Sequence, residues 1–203
     1  MIKCDLTLCA VISKSASVKD AKDGGSFITF GVRYLVVGRK DGMKDMEISV
    51  STDGSKSDLR FYALGRRVTI KGTLTIKKRD GKCYYNLRTT EGVKLAKSTD
   101  ADALEGTMEF RGKIGKKGVL VQQDKNGKEY KIFSAFSVDK ANDKSEFTWC
   151  RFLYFEPKDG EDLLAADKFV TVHGDLQLDV YNNEITLSCR VSDVEPWVME
   201  RGR

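Results

Sequence analysis

Apolar and polar positions alternate with a period of two along most of this chain. The alternating runs are short, rich in Val, Ile, Thr, Phe and Tyr, and punctuated by Asp23-Gly24-Gly25, Asp41-Gly42, Asp53-Gly54, Asp80-Gly81, Asn126-Gly127 and Asp159-Gly160. Aspartyl- and asparaginyl-glycine pairs supply the positive φ angles of tight hairpin turns, so the pattern predicts antiparallel β-hairpins. Helical periodicity is confined to two short pieces, residues 57–65 and 160–167. Each has an acidic residue in its first turn, and Gly65 can cap the first.

The two helical pieces stand in matching places. Residues 66–76 and 168–178 align without a gap at a spacing of 102, both reading Val-Thr-x-x-Gly-x-Leu. Each is followed by a hairpin turn and one more strand, residues 83–89 and 184–191, and each is preceded by three strand-like runs. The chain is therefore a tandem repeat. The order strand-strand-strand-helix-strand-strand is that of an OB barrel. The expected fold is all-β, two tandem five-stranded OB-fold barrels, each with a short helix between strands three and four. Residues 1–97 form the first barrel, the polar stretch 98–107 a linker, and residues 108–203 the second. A barrel of roughly 100 residues is long enough to close a core. Gly72 and Gly174 fall inside strands, where a glycine weakens pairing unless the backbone bends or is closely approached; they predict the bend of a closed barrel.

The run Phe147-Thr148-Trp149-Cys150-Arg151-Phe152-Leu153-Tyr154-Phe155 is apolar on both of its faces. Phe147, Trp149, Arg151, Leu153 and Phe155 share one face; Thr148, Cys150, Phe152 and Tyr154 share the other. A strand buried on both sides would look this way. So would a strand whose outer face stacks nucleobases on its rings while the guanidinium meets phosphate.

Five pieces, in order, resemble the bacterial-type single-stranded DNA-binding protein family of OB-fold chains over residues 108–191. These are Gly112-Lys113-Ile114-Gly115 at the end of strand one, Asn126-Gly127-Lys128 before strand two, Phe133-Ser134-Ala135 within it, Thr148-Trp149-Cys150-Arg151-Phe152 in strand three, and Val170-Thr171-Val172-His173-Gly174-Asp175-Leu176 in strand four. Phe155 falls where that family has a second stacking aromatic. The first half is similar only in outline, with no Trp and no aromatic signature in its third strand. The resemblance implies sequence-tolerant binding of single-stranded DNA in replication, recombination or repair, with proteins of those processes as further partners. Family members carry one barrel per chain and assemble as tetramers, so two barrels per chain imply a dimer. The tandem form would fit a phage or mobile element. The family's acidic tail has no counterpart in residues 195–203.

The candidate DNA-binding residues follow. Trp149, Arg151 and Phe155 face the ligand from strand three of the second barrel. Phe136 on strand two stacks on a base or packs at a subunit contact. Arg111 and Lys113 on strand one line the groove or a solvated face. In the first barrel Lys77, Lys78, Arg79 and Lys82 sit on the hairpin between strands four and five, followed by Tyr84 and Arg88 on one face. Arg66, Arg67 and Lys71 extend the same basic stripe.

Charge supports a polyanionic partner. The net charge of +5 divides into +9 for residues 1–100 and −4 for residues 101–203. A basic half gains affinity for nucleic acid by releasing condensed counterions. Catalysis finds little support. His173 is the single histidine, and no phosphate-binding Gly-x-x-x-x-Gly-Lys loop, zinc-deaminase motif or Cys-x-x-Cys pair occurs. No enzyme activity, metal or cofactor is expected. Five scattered cysteines fit a reducing compartment, and no run of eighteen apolar residues occurs. The expectation is a cytoplasmic protein without a membrane segment. Two other readings remain open at this stage, an RNA-binding OB protein and a structural OB module in a protein assembly.

Overall fold

The structure is a computed structural model that describes residues 1–21, 24–39, 42–141, 144–157 and 163–197. The first half contributes β1 (Ile2–Asp20), β2 (Ser26–Val37), β3 (Met43–Asp53), β4 (Arg67–Arg79) and β5 (Lys82–Leu95). The second contributes β6 (Ala103–Gln123), β7 (Glu129–Ala141), β8 (Lys144–Tyr154), β9 (Phe169–Tyr181) and β10 (Glu184–Pro196). In the first half hydrogen bonding runs β1-β2-β3-β5-β4 and back to β1. The second half repeats the circuit as β6-β7-β8-β10-β9 and back to β6. All pairings are antiparallel except β3 with β5 and β8 with β10. Each circuit is a closed five-stranded Greek-key barrel, the OB fold.

The repeat extends to register. Leu74 faces Leu87 as Leu176 faces Cys189, and Val50 runs beside Leu87 as Phe152 runs beside Cys189, each pair shifted by the same 102 residues. Gly72 and Gly174 share one reason for being glycine. A Cβ on either would lie 2.2 Å from the carbonyl oxygen of Arg88 or 2.1 Å from that of Arg190, so the neighbouring strand can approach only where no side chain stands.

Two expectations need correction. Between β3 and β4 lies a 3-10 helix over Lys56–Phe61, held at its start by the Ser55 amide donating to the Asp58 carboxylate at 2.8 Å. In the second half residues 163–167 form turns rather than a helix, and residues 160–162 lie outside the described residues. Leu164 is buried, which ties this turn segment to the core. The linker is also shorter than 98–107. Residues 103–107 belong to β6 and pair with β1, Thr107 opposite Asp5 and Ala103 opposite Cys9.

That pairing joins the barrels into a single ten-stranded sheet. Cys4 faces Met108 and Leu6 faces Gly106. Positions 4 and 106, like 6 and 108, are equivalent by the repeat, so each pair is the other with its partners exchanged. The two barrels are thus related by a pseudo-twofold axis through the β1–β6 ladder, as two subunits of a dimer would be. Ile2, Cys4, Leu6 and Leu8 are buried at this seam, between the cores built on Ile28, Met46, Ile48 and Ile70 and on Phe110, Phe133, Phe152 and Tyr154. Each such side chain contributes roughly 1.5–3 kcal/mol by leaving water. All five cysteines are free, with Cys4, Cys150 and Cys189 buried.

Candidate nucleic-acid interface

Period-two alternation decides what β8 shows to solvent. Thr148, Cys150, Phe152 and Tyr154 point into the barrel and are buried, while Phe147 and Trp149 stand outward at 46% and 53% exposure. Register with β7 places Phe136 beside Trp149, Val138 beside Phe147 and Ser134 beside Arg151, and β6 adds Lys113 beside Phe136. The Phe136 ring centroid lies 4.9 Å from that of Trp149 at 55° and 5.3 Å from that of Phe147 at 79°. Three rings therefore form one patch across two strands. Gly115 makes room for it: a Cβ there would stand 3.0 Å from Cζ3 of the Trp149 indole. The glycine was part of the sequence signature, but its service to the indole emerges only from the register of β6.

Beside the patch a cleft of about 1140 Å³ runs between the barrels. Trp149 and Arg151 line it from β8, and Lys78 and Lys82 line it from the β4–β5 hairpin of the first barrel. Arg151 and Lys82 are exposed. The patch and the nearer wall of the cleft together present flat aromatic faces flanked by cations, which is the chemistry that holds unpaired bases and their phosphates.

The remaining predicted residues fall into separate groups. Phe155, just past the end of β8, is stacked on Tyr130 at 4.9 Å and 18°, with the Arg190 guanidinium 5.3 Å from its centroid. Tyr130 and Arg190 escaped the sequence reading; Arg190 was findable as an outward residue of β10, one strand over from β8. Arg111 lies against Glu109, Nε to Oε1 at 2.9 Å. Lys113 is paired with Asp167 at 2.7 Å and sits 5.8 Å from the Phe169 centroid. The hydrogen bond from Lys113 holds the Asp167 carboxyl below the usual carboxylate range. Both cations are thus engaged within the protein, on the β6 side of the aromatic patch.

On the first barrel Arg79 pairs with Asp80 at 3.5 Å, Arg88 pairs with Asp53, and Lys77 is exposed. Tyr84 is 47% exposed and lines a smaller groove of about 430 Å³ with Lys14 and Asn86. Glu47, Cys83 and Tyr85 line both cavities, so the two meet. Arg67 is ion-paired with Asp102 and Lys71 with Glu91, and neither continues the stripe toward Trp149.

The repeat spacing puts Asp45, Glu47 and Ser49 of β3 where β8 has Phe147, Trp149 and Arg151. Glu47 is held by the Ser13 hydroxyl at 3.1 Å and the Lys14 ammonium at 3.4 Å. Among the described residues, β3 thus carries no counterpart of the Phe147–Trp149 patch on β8.

Fold and site together define a tandem OB-fold chain with a cleft between its barrels, edged on β8 by aromatic rings and Arg151 and on the β4–β5 hairpin by Lys78 and Lys82. No family model and no curated protein matches it. Among solved structures it is similar to the wild-type single-stranded DNA binding protein from Thermus aquaticus, at 10% identity and a TM-score of 0.49, over 100% of this chain and 96% of that one. A deletion mutant of that protein aligns at 11% identity and a TM-score of 0.48, over 100% and 97%. The small single-stranded DNA-binding protein from Streptomyces coelicolor aligns with 49% of this chain and 97% of its own, at 10% identity and a TM-score of 0.36.

Proposed function

We propose that this chain binds single-stranded DNA without strong sequence preference and without chemistry of its own, covering unpaired strands in replication, recombination or repair. The observation that carries the reading is the Trp149 indole, half exposed on the outer face of β8, packed on Phe136 and bordered by Arg151, Lys78 and Lys82. A structural indole in a barrel of this size would be turned inward, and a ring patch without cations would suit a protein partner. Every base has a π-face, so stacking tolerates any sequence, and each stacked base contributes roughly 1–3 kcal/mol.

The test is fluorescence titration of a Trp197→Phe chain, which leaves Trp149 as the single indole, with oligo(dT). Binding should quench emission. Trp149→Ala, read by anisotropy of a labelled oligomer, should weaken affinity about 5- to 150-fold, the stacking energy converted at about 1.4 kcal/mol per tenfold. Affinity should also fall steeply with salt. An oligo(rU) competitor decides between DNA and RNA. Unquenched emission in the presence of bound or excess oligo(dT) would refute the reading.

A further inference from the structure

The basic β4–β5 hairpin belongs to the first barrel by sequence, yet it is seated on the second. The Lys78 amide donates to Asp139 Oδ2 at 2.8 Å, the Gly81 amide donates to Glu146 Oε1 at 3.1 Å, and Lys78 Nζ lies 3.5 Å from the carbonyl oxygen of Phe147. The pseudo-twofold axis repeats the arrangement. The β9–β10 hairpin reaches the first barrel, where Asp179 accepts from the Arg39 amide at 2.9 Å and Glu184 pairs with Lys44 at 3.3 Å. The Arg39 amide bond holds the Asp179 carboxyl below its usual range. The two hairpins differ in sign. Where the first carries Lys77, Lys78, Arg79 and Lys82, the second has Asp179, Val180, Tyr181 and Glu184. The exchange thus seats the cationic hairpin on the barrel with the aromatic patch and the acidic one on the barrel without it, and both hairpins line the cleft between them.

Asp139 and Glu146 are out of place on a surface for nucleic acid, since carboxylates beside the patch repel phosphate. Both are explained by their donors: each accepts a hydrogen bond from a backbone amide of the hairpin. We propose that the binding site is composite, with Asp139 and Glu146 as positioning residues that seat the first barrel's hairpin so that Lys78 and Lys82 meet the phosphates of a strand stacked on Trp149 of the second barrel. This rests on the single-stranded DNA reading and names the groups that complete its site.

The sign of one measurement separates this from bulk electrostatics. Removing two negative charges from a DNA-binding surface should raise affinity; unseating the hairpin should lower it. The full chain carrying Asp139→Asn and Glu146→Gln is titrated with oligo(dT) over a range of salt, beside Lys78→Ala/Lys82→Ala and the four-fold variant. Trypsin cleavage after Lys78, Arg79 and Lys82 is followed without DNA. The account expects faster hairpin cleavage in the carboxylate variant, affinity lower by about tenfold, and a log–log salt slope shallower by about 1.4 in the lysine variant, from two phosphate contacts at about 0.7 each. In the lysine background the carboxylate changes should cause no further loss.

Affinity that is unchanged or higher in the carboxylate variant overturns the composite site. So does an unaltered cleavage rate, or full additivity of the two pairs. Lys82 is exposed and Lys78 half-buried, and neither belongs to a barrel core, so the salt slope of the lysine pair, read beside its circular dichroism spectrum, stands as an independent arm. A wild-type chain that binds no oligomer refutes the DNA reading itself, and the composite site with it; wild-type binding with the wrong sign refutes the composite site alone.

Discussion

Replacing Gly106 by alanine should separate the two barrels where they are joined. A Cβ on Gly106 would lie 2.3 Å from the carbonyl oxygen of Asp5, 2.5 Å from Cβ of Leu6 and 2.6 Å from its Cα. Carbon atoms pack at about 3.5–4.0 Å, so the strands must part by about 1 Å. The obstructing atoms are backbone and Cβ, and none can swing aside as a flexible side chain would. Overpacking of this kind costs about 1–3 kcal/mol. Loss of two neighbouring ladder bonds, at about 0.5–1.5 kcal/mol each, brings the total to roughly 2–6 kcal/mol. For a chain of this length each kcal/mol moves the melting midpoint by about 2–4 °C, so Gly106→Ala should lower Tm by roughly 4–24 °C. Thr107→Ala, an exposed neighbour on the same strand, should stay within about 0.5 kcal/mol. Circular dichroism melts of the three proteins make the comparison. A Gly106→Ala midpoint within 2 °C of wild type, a tolerance taken as about half a kcal/mol, would mean that β1 and β6 are not paired through this position.

Two further outcomes follow from buried chemistry. Asp102 takes both the Arg67 guanidinium and the Leu35 amide, the latter at 3.1 Å, and the two ion-paired side chains are only 17% and 23% exposed. Asp102→Asn should therefore cost about 1.5–3 kcal/mol, seen as a lower urea midpoint at unchanged m-value; an unchanged midpoint would show the pair to be solvated. Burial pushes the Cys4 and Cys189 thiols up to about 12 and raises the Cys150 thiol as well. Burial raises the Cys83 thiol too, but its side chain is exposed, so iodoacetamide at pH 8 should label Cys83 while these three stay unmodified until the chain is unfolded, with mass spectrometry of the peptides as the readout. Labelling of Cys4, Cys150 or Cys189 as fast as Cys83 would contradict the burial.

Much of this architecture was legible because it is encoded locally. Alternation along 147–155 put Trp149 and Phe152 on opposite faces, the resemblance turned Trp149 outward, and β8 has Trp149 exposed and Phe152 buried. The Val-Thr-x-x-Gly-x-Leu match at 102 residues carried the repeat, since both copies need a glycine where β5 or β10 crosses closely. What escaped is non-local. Residues 2–9 read as an ordinary strand, and alternation says nothing of which edge another strand will take, so the β1–β6 seam and the shortened linker were hidden. The destination of the basic hairpin was hidden for the same reason: Asp139 and Glu146 lie 61 and 65 residues from the amides they accept. Residues 163–167 form turns, not the expected helix, and there the burial of Leu164 against the core outweighs local periodicity.

The most direct test of the central claim is photocrosslinking of 4-thiothymidine-substituted oligo(dT) to the full chain, with the attached peptides identified by mass spectrometry. Bases stacked on the β8 patch should crosslink to peptides bearing Trp149 and Phe136, with attachment at Trp149 lost in Trp149→Ala and unaffected by Glu47→Ala at the equivalent place in the first barrel. Crosslinks confined to the first barrel, or unchanged in Trp149→Ala, would contradict the account.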